Sequence, residues 1–159
     1  MTQASEILYA SFASPAAYDL YPDAVTFLEK LSEEKVKGQL KVGAISNTDK
    51  RVVRLLTLMG LAKHLDFVTF AEEAKCSKPE KAIFDLALRK SGLSESDLDP
   101  SQILHIGDDL VNDYEAPREL GWQALLLDRT GDIGPKVISR IGKDHLCEDF
   151  GEISRKLKL

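Results

Sequence analysis

Four short apolar runs punctuate the chain, each separated from the next by residues with helical spacing. They are Leu40–Ser46 (LKVGAIS), Phe67–Ala71 (FVTFA), Ile103–Gly107 (ILHIG) and Gln123–Asp128 (QALLLD). Each is strand length and nearly continuous in apolar character, as expected for strands covered on both faces of a parallel sheet. Helices are predicted between them. One runs from Asp23 to about Lys37, after Pro22, with Leu28, Leu31 and Val36 on related faces. A second is capped by Thr48 or Asp49, carries Val52, Leu55, Leu56 and Met59, and stops at Gly60. A third takes Pro79 as its first residue, carries Ile83, Leu86 and Ala87, and ends at Gly92. The stretch from Asn112 to Leu120 predicts a shorter helix closed by Gly121, with Pro117 limiting its regularity. Strict alternation of this kind implies an open α/β sheet with right-handed crossovers. Residues 1–22 fit that alternation poorly and read as the end of a different unit.

Composition narrows the class. The 159 residues suit one compact domain, and 21 basic against 26 acidic side chains leave a net charge of −5. That balance disfavours a general nucleic-acid binder or an anionic-membrane binder. Cys76 and Cys147 have no C-x-x-C spacing and read as two reduced thiols. The start lacks a secretory or transit pattern, and the longest uncharged stretch, Ile7 to Tyr18, is too short to span a bilayer. The expectation is a soluble, cytoplasmic protein, with mitochondrion and nucleus left open.

In an open α/β sheet, ligands bind beyond the carboxyl ends of the strands. The first run there meets Ser46-Asn47-Thr48-Asp49; a little after the second comes Lys78-Pro79; after the third comes Gly107-Asp108-Asp109-Leu110-Val111-Asn112-Asp113. Asp108 and Asp113 are hard oxygen donors suited to Mg²⁺, which takes one or two carboxylates beside water and phosphate. Ser46 offers a hydroxyl, the helix after it offers free N–H groups, and Lys78 adds a positive charge for the same anion. Singly, these residues equally suit a helix cap, a solvated lysine and an acidic turn. In this order, each after its own strand, they describe a phosphoryl-transfer site. His105, inside an apolar strand, reads as a core residue with a satisfied ring, and Trp122 as packing.

With those motifs in order, the sequence resembles the haloacid dehalogenase (HAD) superfamily, most of whose members are Mg²⁺-dependent phosphatases. Ile45-Ser46-Asn47 is similar to its second motif, Lys78-Pro79 with Ile83-Phe84 to the third, and Gly107-Asp108 with Asn112-Asp113 to the fourth. Tyr21-Pro22-Asp23-Ala24 and Ser46-Asn47-Thr48-Asp49-Lys50-Arg51 carry a nearer likeness to the HAD-like hydrolase domain-containing protein 3 and rhythmically expressed gene 2 branch. The resemblance implies a Rossmann-like, three-layer αβα core with a mainly parallel sheet. It implies that Ser46, Asn47 and Lys78 bind phosphate, that Ser46 and Lys78 assist catalysis, and that Asp108 and Asp113 hold Mg²⁺. Residues 1–22 would be a remnant of a helical cap, and residues 23–159 a partial core.

The departure is at the front. The superfamily's first motif, Asp-x-Asp at the end of an apolar strand, supplies the nucleophile and the general acid–base. Upstream of Ser46 the acids are Glu6, Asp19, Asp23, Glu29, Glu33 and Glu34, and none forms that pair. Asp97-Leu98-Asp99 has the spacing but lies in a polar loop, SGLSESDLDPS, where Ser94 is placed to cap a turn. The resemblance therefore implies a core without its first, central strand, a gap between the strands bearing the second and fourth motifs, and a chain inactive alone. Two functional expectations follow: a phosphomonoester hydrolase acting on a small phosphorylated metabolite once completed, or a non-enzymatic interaction module on the same scaffold. The unfilled sheet implies a chain that is poorly stable alone, or one that closes its sheet with another segment or, by self-association, with another chain. A phospho-receiver domain has its acidic pair first and Lys-Pro last, the reverse of this order, and neither glycine fingerprint of a P-loop or a dinucleotide site occurs.

Overall fold

The computed structural model describes residues 14–36, 40–93 and 98–159. Residues 1–13, Ser94, Asp97 and the end of the first predicted helix at Lys37 lie outside them. After a 3₁₀ turn at Pro15–Ala17 come α1 (Pro22–Val36), β1 (Gly43–Ser46), α2 (Arg51–Leu58), β2 (Phe67–Phe70), a single helical turn α3 (Ala71–Ala74) and α4 (Lys81–Ser91). The second half holds β3 (Leu104–Gly107), a π-helical segment Leu110–Glu115 running into α5 (Ala116–Glu119), β4 (Gln123–Leu127), α6 (Pro135–Ile141), β5 (Leu146–Cys147) and α7 (Phe150–Leu157). Among the described residues no helix is long and apolar enough to cross a membrane.

Every strand pairing is parallel, but the strands form two sheets, β1–β2 and β3–β4–β5. The break falls between the strands that carry the second and fourth motifs, where the sequence places the gap. Hydrogen-bond parity defines its walls. The Val42 carbonyl accepts from Asp66 N–H on the β2 side, so the alternation of a parallel ladder turns the backbone groups of Gly43 and Ile45 the other way. Likewise Ile103 accepts from Gln123 N–H on the β4 side, which turns Leu104 and Ile106 to the open edge of β3.

Both faces of the larger sheet are covered, which explains the continuous apolar run in β4. Leu125 packs with Phe27, Cys147 and Ile153 beneath α1 and α7. Ala124 and Leu126 point to the other face, with Tyr114 and Ile141. A further cluster of Ile83, Phe84, Ala116 and Trp122 takes in Ile45 and Ile103, so α4 packs against residues of both sheets. Trp122 is packing, as expected: its ring meets Phe84 edge-on at 5.5 Å. Asp23 joins α1 to α7, accepting from Arg129 Nη2 at 2.8 Å and from Phe150 N–H at 2.9 Å.

Several boundaries depart from expectation for local reasons. The first strand shortens to Gly43–Ser46, because Asp66 takes the Val42 N–H with its side chain at 2.8 Å and leaves the ladder one residue later. The Phe67 ring lies over Gly43, where a Cβ would come within 2.1 Å of it, so a larger residue there would displace the ring. Neither Thr48 nor Asp49 is the cap of α2. The cap position is Lys50, without a side-chain bond, while Asp49 accepts the Arg51 N–H at 2.9 Å and grips the Arg51 guanidinium. Pro79 does not open α4, which begins at Lys81; residues 77–80 form a turn closed by Glu80 N–H to the Ser77 carbonyl at 2.8 Å. Lys78 is accordingly a turn residue that precedes the helix. The Asn112–Leu120 helix starts earlier and in two pieces. Asp109 caps it through Val111 N–H and Asn112 N–H, the Ala116 N–H reaches back five residues to the Val111 carbonyl, and Pro117 has no N–H to restore the α ladder. Asp99, in the polar loop, caps the turn Pro100–Gln102 by a reciprocal capping box, so the turn reading holds for its described part. β5 has two residues and α7 follows an Asp149 cap; β5 is too short to leave an apolar run in the sequence.

Candidate functional site

The carboxyl ends of β1 and β3 lie on either side of the gap, and one side chain spans it. Lys78 Nζ donates to the Ile45 carbonyl on the open edge of β1 at 3.2 Å, and to Asp113 Oδ1 beside β3 at 2.5 Å. The lysine and the carboxylate are 11% and 7% exposed, so the pair is largely removed from water. Asn47 holds the lysine's backbone at both ends: its Nδ2 donates to the Lys78 carbonyl at 2.9 Å, and its Oδ1 accepts the Lys78 N–H at 2.7 Å. The Ser46-Asn47 loop thus fixes the turn that aims Lys78 into the gap.

Asp113 is fastened from several directions. His105 Nε2 lies 3.1 Å from the same Oδ1, and Asp109 N–H donates to Oδ2 at 3.2 Å. Burial alone pushes this carboxyl up, but the hydrogen bonds from His105 and Lys78, the lysine's charge and the Asp109 N–H outweigh it. They hold Asp113 at about 2, against an ordinary value of 3.8. Gly107 makes the approach possible, since a Cβ there would sit 2.4 Å from the Asp113 carboxyl carbon.

The sequence-predicted residues therefore divide. Lys78, Asn47 and Asp113 are brought together, and Ser46 ends β1 beside them, half-buried. Asp108 is exposed and its carboxylate has no hydrogen bond or ion pair among the described residues, whereas both oxygens of Asp113 are engaged. No group of three or more His, Cys, Asp or Glu converges among the described residues. His105 is satisfied, as expected, but by the site and not by the core. Strand alternation places His105 on the face of Gly107, the glycine over which Asp113 lies, and that period-two relation was available in the sequence. The Ile45 carbonyl was not: it is reached by Lys78 on the edge of β1 that no other strand pairs among the described residues.

Comparisons with known proteins give the family and the fold. The family described as haloacid dehalogenase-like hydrolase matches residues 2–121. Haloacid dehalogenase-like hydrolase domain-containing protein 3 of Danio rerio is 32% identical over 151 residues, covering 95% of this chain and 58% of the relative. The Rhythmically expressed gene 2 protein of Drosophila melanogaster is 34% identical over 136 residues, covering 84% of this chain and 52% of the relative. The chain thus spans a little over half the length of these relatives. The crystal structure of a HAD phosphatase from Thermococcus onnurineus superposes with a TM-score of 0.76 at 24% identity, covering 98% of this chain and 65% of that one, which shows the same fold. With the ordered motifs gathered around one gap and the family match running through three quarters of the sequence, this chain belongs to the haloacid dehalogenase-like hydrolases.

Proposed function

We propose that this chain carries the phosphate-binding and metal-binding half of a phosphomonoester hydrolase site. The observation that carries the reading is Lys78, whose ammonium bridges the Ile45 carbonyl of β1 and Asp113 beside β3 at the mouth of the gap. Ser46 supplies a hydroxyl to the phosphoryl oxygens, Lys78 their countercharge, and Asn47 keeps Lys78 aimed. Asp113 positions Lys78 and offsets its charge until a phosphoryl group arrives.

The donor set fits magnesium of the sparsely ligated kind, with one or two protein carboxylates and the remaining positions left to water and phosphate. Asp108 is the carboxylate free to ligate, and Asp113 would contribute only by exchanging one of its present partners. When bound, the ion would neutralise phosphoryl charge. A nucleophilic carboxylate would enter on an additional parallel strand between β1 and β3, pairing with the edge groups of Gly43 and Ile45 on one side and of Leu104 and Ile106 on the other. A small phosphorylated metabolite is the substrate class.

The test is phosphate release from a generic phosphomonoester. The 159-residue chain alone should release none, and a chain extended upstream by an apolar strand ending in Asp-x-Asp should release it only with Mg²⁺. An extended, folded chain without activity would sink the reading. A second reading, a non-catalytic interaction module that associates through the same open edges, is favoured by the unpaired edges of β1 and β3 among the described residues. It predicts a stable dimer of the 159-residue chain in light scattering, lost when proline replaces Ile45 or Ile106.

A further inference from the structure

We propose that the cleft between Tyr18 and α2 is the leaving-group pocket of this site, and that it takes a neutral, apolar group such as an aryl ring. The inference rests on the phosphate-site reading above, because the two regions share Ser46. The cleft has a volume of about 430 Å³ and is lined by Tyr18, Ser46, Thr48, Arg51, Val52 and Leu55. Its lining is graded. Ser46 and Thr48 bring hydroxyls to the lining at the carboxyl end of β1, while Val52 and Leu55, one helical turn apart on α2, bring aliphatic surface and Tyr18 an aromatic ring. A phosphate ester seated on Ser46 therefore directs its organic part along α2.

The charge of Arg51 decides what that part is. Its Nε lies 2.8 Å from Asp49 Oδ1 and its Nη2 2.6 Å from Asp49 Oδ2, a two-pronged pair that neutralises the one cation among the described residues lining the cleft. A second anionic group on the substrate gains little there and would lose water against Val52 and Leu55. An uncharged ring gains contact with both and with Tyr18. No residue of α2 is fully buried, so its apolar side still has surface to cover.

The experiment measures binding of a phosphonate series to the 159-residue chain in Mg²⁺ buffer, by calorimetry and by methyl resonances of Val52 and Leu55. The probes are inorganic phosphate, methylphosphonate, phenylphosphonate and phosphonoacetate. Phenylphosphonate should bind about tenfold tighter than methylphosphonate, the gain from covering roughly half a phenyl ring. It should shift the Val52 and Leu55 methyls, and phosphonoacetate should gain nothing. L55N, which removes the aliphatic wall without adding charge, should erase the phenyl advantage and leave inorganic phosphate binding as in the parent, and L55M should keep the advantage. Equal affinities for phenyl- and methylphosphonate, with inorganic phosphate still bound and the methyls unmoved, would overturn the pocket and assign the cleft to protein packing, leaving the phosphate reading intact. Failure of every probe, inorganic phosphate included, would overturn the phosphate reading and the pocket with it.

Discussion

In the larger sheet Leu126 and Cys147 have no exposed surface and Ala124 only 3%, whereas no residue of β1 or α2 is fully buried. The larger sheet is sandwiched between helices on both faces and has the packing of an ordinary α/β core. The smaller sheet meets it chiefly through α4, whose Ile83 and Phe84 are fully buried, and through the polar bridge of Asn47, Lys78 and Asp113. The carboxyl ends of β1 and β3 are thus held in place by one apolar cluster and a few buried polar bonds, with no backbone pairing between the two strands. A site assembled in this way depends on side chains for a geometry that a continuous sheet would supply through its ladder.

The largest effect that tests this contrast is a pair of matched truncations. Leu126→Ala should cost about 2–5 kcal/mol in chemical denaturation, and Leu55→Ala less than about 1 kcal/mol, because only the first empties a closed space. Equal costs would show that the two halves are equally packed. Next comes the polar bridge. Asp113→Asn should cost about 2 kcal/mol, since Lys78 would remain largely buried without its countercharge. The pH profile carries the same information with a definite sign. The carboxyl of folded Asp113 is depressed from 3.8 to about 2, so its contribution is fully present above the ordinary carboxylate range and is lost as pH falls towards about 2. Stability measured from pH 6 downward should fall more steeply between about pH 4 and 2 in the parent than in the Asn variant. Parallel profiles would break the assignment. The smallest effect lies inside the smaller sheet. The Thr69 hydroxyl is buried without a hydrogen-bond partner among the described residues, so Thr69→Val should be neutral or stabilise by up to about 1 kcal/mol in the same denaturation assay. A clear loss would mean that the hydroxyl has a partner, such as bound water.

Much of this was readable residue by residue. The four apolar runs became β1 to β4, and the continuous character of QALLLD correctly implied cover on both faces. The order Ser46, Lys78, Asp108, Asp113 pointed to the carboxyl ends of β1 and β3, where Asn47, Lys78 and Asp113 meet. What escaped was geometry that depends on partners distant in sequence. Thr48 and Asp49 have the chemistry of caps, yet Arg51 captured Asp49 first. Pro79 has the chemistry of a first helical residue, but the preceding turn is bonded to Asn47, which delays the helix to Lys81. His105 has the neighbours of a core residue and turned out to touch the site, because Gly107 leaves room for Asp113 to reach it.

By itself, then, the sequence determined the alternation of strands and helices, the parallel class of the sheet and the order of polar groups at its carboxyl ends, because hydrophobic period and motif spacing are local properties of a chain. Only the tertiary structure decided that β1 and β3 do not pair, that Lys78 spans the space between them, and that Asp113 spends both oxygens on protein partners while Asp108 spends none. Those outcomes turn on which groups meet across tens of residues, and burial, charge and unsatisfied backbone settle them together once the chain has folded.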